Sequence, residues 1–76
     1  MFKELETVVL THDIKEYGLT KGDVGAIVFI HKEGKAFEVE FVTAEGKTVA
    51  VLTLVPSDIR SMTRSEILHV RGYNAI

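Results

Sequence analysis

"GLTKGDVGAIVFIH", Gly18 to His31, sets three glycines and a Lys-Gly-Asp turn in front of a nearly unbroken apolar run. It reads either as a loop that grips phosphate or as the corner where a small β-barrel folds back on itself. A dinucleotide fingerprint needs G-x-G-x-x-G between a strand and a helix, and a P-loop needs G-x-x-x-x-G-K-[ST]. The spacing Gly18, Gly22, Gly25 matches neither. The following "GAIVFIH" is β-branched and aromatic, so a strand is expected there and no helix N-terminus awaits an anion. Gly22 is then expected to supply a positive φ in the turn, and Gly25 to let the chain pass close to a neighbour.

Outward from this corner, the chain reads as strands and turns. "TVVLT" (Thr7–Thr11) is a first strand, and the polar "HDIKEYGLT" that follows is a long loop. "GAIVFIH" is apolar on both faces, with Ala26, Val28 and Ile30 on one side and Ile27 and Phe29 on the other, as in a central strand. "KEGK" (Lys32–Lys35) is a hairpin turn leading to "AFEVEFV", where Phe37, Val39 and Phe41 alternate with Glu38 and Glu40. "TAEGK" is a second glycine turn, and "TVAVLTLV" (Thr48–Val55) a fourth strand. Pro56 ends it, and "PSDI" predicts one short 3₁₀ turn near Ser57. "IRSM" (Ile59–Met62) is expected to close the sheet. "EILHVR" (Glu66–Arg71) reads as a further strand, with a helical turn as the rival, because Thr63 and Glu66 have capping-box spacing. Strands apolar on both faces must curl around a core, so the expected fold is mainly β: a small, five-stranded, partly open antiparallel barrel. Residues 1–76 form a single domain in this reading, with 63–76 as a C-terminal extension.

Composition sets the limits. A chain of 76 residues, 46% of them hydrophobic and none cysteine, is held by packing alone, without a disulfide or a thiolate metal site. A reducing cytoplasm suits it. The start "MFKELETVVL" is too charged and its apolar run too short for a signal peptide, and no stretch approaches the ~20 apolar residues of a membrane span. The net charge of −2 is unevenly spread. Residues 1–58 hold six lysines against ten acids, whereas residues 59–76 hold Arg60, Arg64 and Arg71 against Glu66 alone. An acidic body is a poor track for a phosphate backbone but a suitable surface for a basic partner.

Candidate chemistry is sparse. His12, His31 and His69 are far apart in sequence, with none of the close spacings of zinc ligands, so no metal is expected. Ser57, Ser61 and Ser65 lack a nucleophile elbow, and Glu38 and Glu40 lie on the solvent face of an alternating strand. No catalytic residue, cofactor or small-molecule substrate is expected. What remains is surplus apolar surface, which marks protein interfaces when exposed. Ile27, Phe29, Leu52, Leu54, Ile67 and Leu68 form the expected partner interface, for another protein or for a homodimer, with Arg60, Arg64 and Arg71 steering or latching onto an acidic patch. The competing cover for that face is the chain's own ends: Met1, Phe2 and Leu5, or Ile67, Leu68 and Ile76.

The order of strand, long loop, glycine-bearing turn, two hairpins and "VPSDI" resembles the SH3-like barrel, most closely at "LTKGDVG" and "VPSDIR". In peptide-binding SH3 domains these are the diverging turn and a 3₁₀ turn that touches ligand. The chain has no tryptophan, and His12 and Asp13 stand where that family places an aromatic pair, so recognition of PxxP peptides is not expected. "GDVGAIV" also resembles the KOW motif, which implies the alternative function: a nucleic-acid-binding accessory using Lys21 and the basic tail. Over nearly its whole length the chain resembles a family of short bacterial proteins, domain of unknown function 4926. The likeness rests on "ELETVVLTHDI", "YGLTKGDVGAIV", "AFEVEFVTAEGKTVAVLTL" and "EILHVR". It implies an SH3-like barrel of a family not characterised as enzymes, and an antitoxin-like or accessory partner role. It supplies no site residues.

Overall fold

β-branched and aromatic residues between glycine turns build five strands in the computed structural model, which describes residues 2–73. They are β1 (Thr7–Leu10), β2 (Val24–His31), β3 (Ala36–Val42), β4 (Thr48–Leu54) and β5 (Ile59–Ser61). All pair antiparallel in one sheet of order β4-β3-β2-β1-β5, which does not close on itself. The result is a small, partly open, barrel-like β fold whose strand order is compatible with the SH3-like expectation. Among the described residues there is no α-helix, and no helix is long and apolar enough to cross a membrane.

The expected turn near Ser57 is the 3₁₀ turn Pro56–Asp58, where Asp58 Oδ2 accepts the Val55 N–H at 2.9 Å. A second 3₁₀ turn, Lys15–Tyr17, interrupts the long loop. Its residues are polar and exposed, so no hydrophobic period announces it.

The opening corner behaves as its glycines require. Gly22 has φ +94°. At Gly25 a Cβ would meet Val39 Cγ1 at 2.8 Å, Phe41 Cε1 at 2.9 Å and the Glu40 carbonyl at 3.0 Å. β2 therefore crosses β3 with no room for a side chain, and this close passage lets the sheet bend around its core. The β2–β3 hairpin turns through Lys32 and Glu33, both at positive φ (49° and 58°), with the Gly34 N–H donating to the His31 carbonyl at 3.0 Å. Two positive φ values in sequence match the hairpin's right-handed twist but strain two residues that have a Cβ.

Val8, Leu10, Leu19, Ile27, Phe37, Val39, Phe41, Leu52, Leu54 and Ile59 form the core. Phe2 seals one end, its ring edge-on to Phe37 with centroids 5.2 Å apart, while Leu5 is exposed. The faces of β2 depart from strict alternation. Its register against β3 shifts between Ile27 and Phe29, so Val28 is an extra residue. Ile27 points in, Phe29 points out, and Ile30 packs on the core instead of sharing a side with Ala26 and Val28.

The tail differs most from expectation. "EILHVR" is neither strand nor helix. The capping-box spacing produces only a turn, in which Glu66 Oε1 accepts the Thr63 N–H at 2.7 Å. Arg60 then grips the Glu66 carboxylate with both Nη atoms, at 2.9 and 2.6 Å, and the chain runs on as an extended strap.

Candidate interaction surface

Three of the six residues expected at the interface belong to the interior. Ile27 is 0% exposed, and Leu52 and Leu54 are buried opposite Val39 and Phe37. Two strand faces compete for β4, and the leucines, burying more apolar area than valine or threonine, take the inner one. Phe29, Ile67 and Leu68 remain outside.

The outer face of β2, β3 and β4 is built in rows. Ala26, Glu40 and Val51 are cross-strand neighbours, as are Phe29, Glu38 and Thr53. Phe29 is 51% exposed and Val51 50%. Each apolar side chain thus stands beside a glutamate. The glutamates are held in place: the Thr53 hydroxyl donates to Glu38 Oε2 at 2.6 Å, His31 Nε2 donates to the same oxygen at 2.6 Å, and the Thr48 hydroxyl donates to Glu40 at 2.8 Å. These donors hold the Glu38 carboxyl below its ordinary value, Thr53 first and His31 second, so it stays ionised. The Phe29 ring lies edge-on to His31 with centroids 4.8 Å apart. The face is acidic and apolar at once, with its polar groups preset.

The tail covers a different part of the molecule. Arg71 chelates Asp23, with Nε to Oδ1 at 2.8 Å and Nη2 to Oδ2 at 2.5 Å, and Nη2 also donates to the Gly18 carbonyl at 2.9 Å. The Tyr73 hydroxyl donates to the Tyr17 carbonyl at 2.8 Å. Burial pushes Asp23 up, but the Arg71 and Thr20 donors outweigh it and hold the carboxyl below its ordinary value. Between its anchors the strap flanks Val9 and Val24, while Ile67, Leu68 and Val70 turn to solvent, Ile67 at 93% exposure. A groove of about 370 Å³ remains between Val70, Arg71 and Tyr73 of the strap and Leu19, Phe41 and Val49 of the barrel. The expected tail electrostatics therefore need correction. Arg60 and Arg71 are spent on the chain's own Glu66 and Asp23, and only Arg64 stands exposed with no ion pair among the described residues.

The histidines lie apart. Nε2 of His12 sits 2.7 Å from Asp58 Oδ1 and Nδ1 sits 2.9 Å from the Asp13 carbonyl. Both ring nitrogens face acceptors, so the site favours the imidazolium, and the bond to Asp58 raises the His12 pKa. His31 joins Glu38, and His69 lies on the strap. Among the described residues no three His, Cys, Asp or Glu side chains gather as metal ligands.

Fold and surface together define a small antiparallel β domain with a mixed acidic and apolar outer face. The model of the family Domain of unknown function (DUF4926) matches residues 4–61, and the chain belongs to that family. The match ends at Ser61, where β5 ends and the strap begins. No curated protein and no solved structure matches the chain.

Proposed function

We propose that the chain is a non-catalytic interaction module, acting in the cytoplasm, which binds a basic and apolar segment of another protein on the outer face of β2–β4. The observation that carries this reading is Phe29: a half-exposed aromatic ring beside an ionised glutamate that the chain's own hydrogen bonds hold in place. Aromatic side chains with a set orientation anchor interfaces at low entropic cost, and Glu38 and Glu40 select a partner of positive charge. An accessory or antitoxin-like role, in which the module masks a basic partner, fits the acidic charge of residues 1–58. The nucleic-acid alternative loses support from Arg60 and Arg71, whose guanidiniums are already paired within the chain.

The test is affinity capture from a bacterial lysate with the full chain and with Phe29→Lys, followed by binding of the captured protein in purified form. The expected outcome is a basic partner whose affinity for Phe29→Lys falls at least about tenfold, and weakens for the full chain as salt rises. Equal affinity for both proteins refutes the reading.

A further inference from the structure

The sheet has two open edges, β4 and β5, and they are built differently. β5 is three residues long, carries Arg60, and lies between a 3₁₀ turn and the Thr63–Glu66 turn. Shortness, charge and bends are the devices that stop a strand edge from recruiting another strand. β4 has only one of them, a bulge at Val49 beside its first residue, where the register against β3 skips from Ala50 to Thr48. Its seven residues, "TVAVLTL", include no charge and no proline, and four of them are β-branched. Its backbone pairs with β3 alone, and no other described residue makes a backbone hydrogen bond to it. Both the N–H and the C=O of alternate residues therefore face outward along the regular stretch Ala50–Leu54.

We propose that β4 is a dimerisation edge, pairing antiparallel with β4 of a second copy of this chain about a two-fold axis at Val51. An antiparallel strand edge is its own complement under a two-fold rotation, since each residue offers donor and acceptor to its mate. The absence of charge on the edge points to the same occupant. Residues 1–58 carry an excess of four negative charges, and two such bodies approach without setting like charges opposite each other only where the contact is neutral, as it is along Thr48–Leu54. Val51 is the middle residue of the strand and the half-exposed hydrophobic one on its outer face, so pairing sets it against itself. Ala50 of each copy then stands opposite Leu52 of the other, which makes the two cores continuous. The axis is perpendicular to the sheet, so both Phe29 faces remain on one side, and the dimer displays two binding faces in parallel. The edge shares Val51 with the outer face but not Phe29, which takes no part in the strand pairing, so the two proposals are tested by different variants.

The chain has no cysteine, so Val51→Cys introduces a single thiol. Opposed residues of an antiparallel pair have Cα atoms about 4.5–5.5 Å apart, within the range a disulfide spans. The expected results are concentration-dependent doubling of mass in sedimentation equilibrium for the full chain and for Phe29→Lys, and rapid oxidation of Val51→Cys to a covalent dimer. Val42→Cys, equally exposed on β3, should remain a monomer under the same oxidation. Val51→Lys should stay monomeric, with an unchanged circular dichroism spectrum because Glu40 lies opposite it within the sheet. A full chain that is monomeric throughout overturns the proposal, as does a dimeric Val51→Lys or equal cross-linking of the two cysteine variants. Loss of the dimer in Phe29→Lys places the contact on the outer face instead, which overturns strand pairing.

Discussion

Gly25→Ala tests the close passage of β2 over β3, on which the bend of the sheet depends. The new methyl carbon would lie 2.8 Å from Val39 Cγ1, 2.9 Å from Phe41 Cε1 and 3.0 Å from the Glu40 carbonyl oxygen, all well inside normal contact. Val39 and Phe41 are core side chains, and Glu40 belongs to the ladder through its pairing with Ala26, so none can yield freely. Overpacking at such a site costs about 2–3 kcal/mol, the upper part of the usual range. Gly25 has no positive φ, so alanine gains about 0.5–1 kcal/mol from the reduced entropy of the unfolded chain. The net loss is roughly 1–2.5 kcal/mol, against a total stability on the order of 4–11 kcal/mol for a chain of this size. The thermal midpoint should fall by about 4–20 °C. Urea and thermal denaturation followed by far-ultraviolet circular dichroism read both quantities. Gly46 is the control: it needs its φ of +89°, but a methyl group there would meet nothing within 4 Å. Asparagine, which tolerates that φ, should be accepted at Gly46 and should be worse than alanine at Gly25. A Gly25→Ala protein as stable as the parent would refute the steric account of the bend.

Other consequences follow from the turns, the strap and the exposed histidine. Replacing Lys32-Glu33 by Asn-Gly relieves two positive φ values in the β2–β3 hairpin and should stabilise the fold by about 1–2 kcal/mol, read as a higher urea midpoint; an unchanged or lower midpoint contradicts the strain. Arg71→Ala should cost about 1 kcal/mol or less, yet release the strap, so that amide resonances of residues 67–73 sharpen while those of the five strands keep their shifts. His12 has a raised pKa, so its bond to Asp58 stabilises the fold fully below its unfolded value of about 6.5, and that stability is lost as pH rises through the higher folded value. The urea midpoint should therefore decline from about pH 6 to pH 8, and His12→Asn should flatten the decline. An equally steep decline in His12→Asn removes the pair from the account.

Local chemistry wrote much of the fold into the sequence. Alternation of phenylalanine and valine with glutamate sets β3 at Ala36–Val42, matching the expected stretch, and the two glycine turns and Pro56 mark the ends of the meander. The strap escapes such reading because the contact that fixes its course, Arg71 with Asp23, joins residues far apart in sequence. Ile67, Leu68 and Val70 favour strands, but β propensity expresses how well a residue suits a pleated, half-buried surface. Here Arg60–Glu66 and Arg71–Asp23 hold the segment away from any strand ladder, and local preference is overridden.

The candidate surface was only half legible, and the reason is the symmetry of an all-apolar run. When both faces of a strand are hydrophobic, alternation offers two possible interiors without choosing between them, and a slip of one residue exchanges them. In β4 the choice follows side-chain size, with Leu52 and Leu54 inside and Val51 outside. In β2 it follows the bulge at Val28, which returns Ile30 to the core and leaves Phe29 among glutamates. Neither choice needs a partner, since each completes the chain's own core. Their joint effect is nonetheless specific: the aromatic ring left outside is the one whose cross-strand neighbour, Glu38, is held ionised by Thr53 and His31. A surface left over at random would scatter its apolar groups among mobile charges, whereas here the charge beside the ring is fixed from two sides. That preorganisation lowers the cost of ordering on binding, and it is why Phe29, rather than the more exposed Ile67, is the residue on which the proposed function rests.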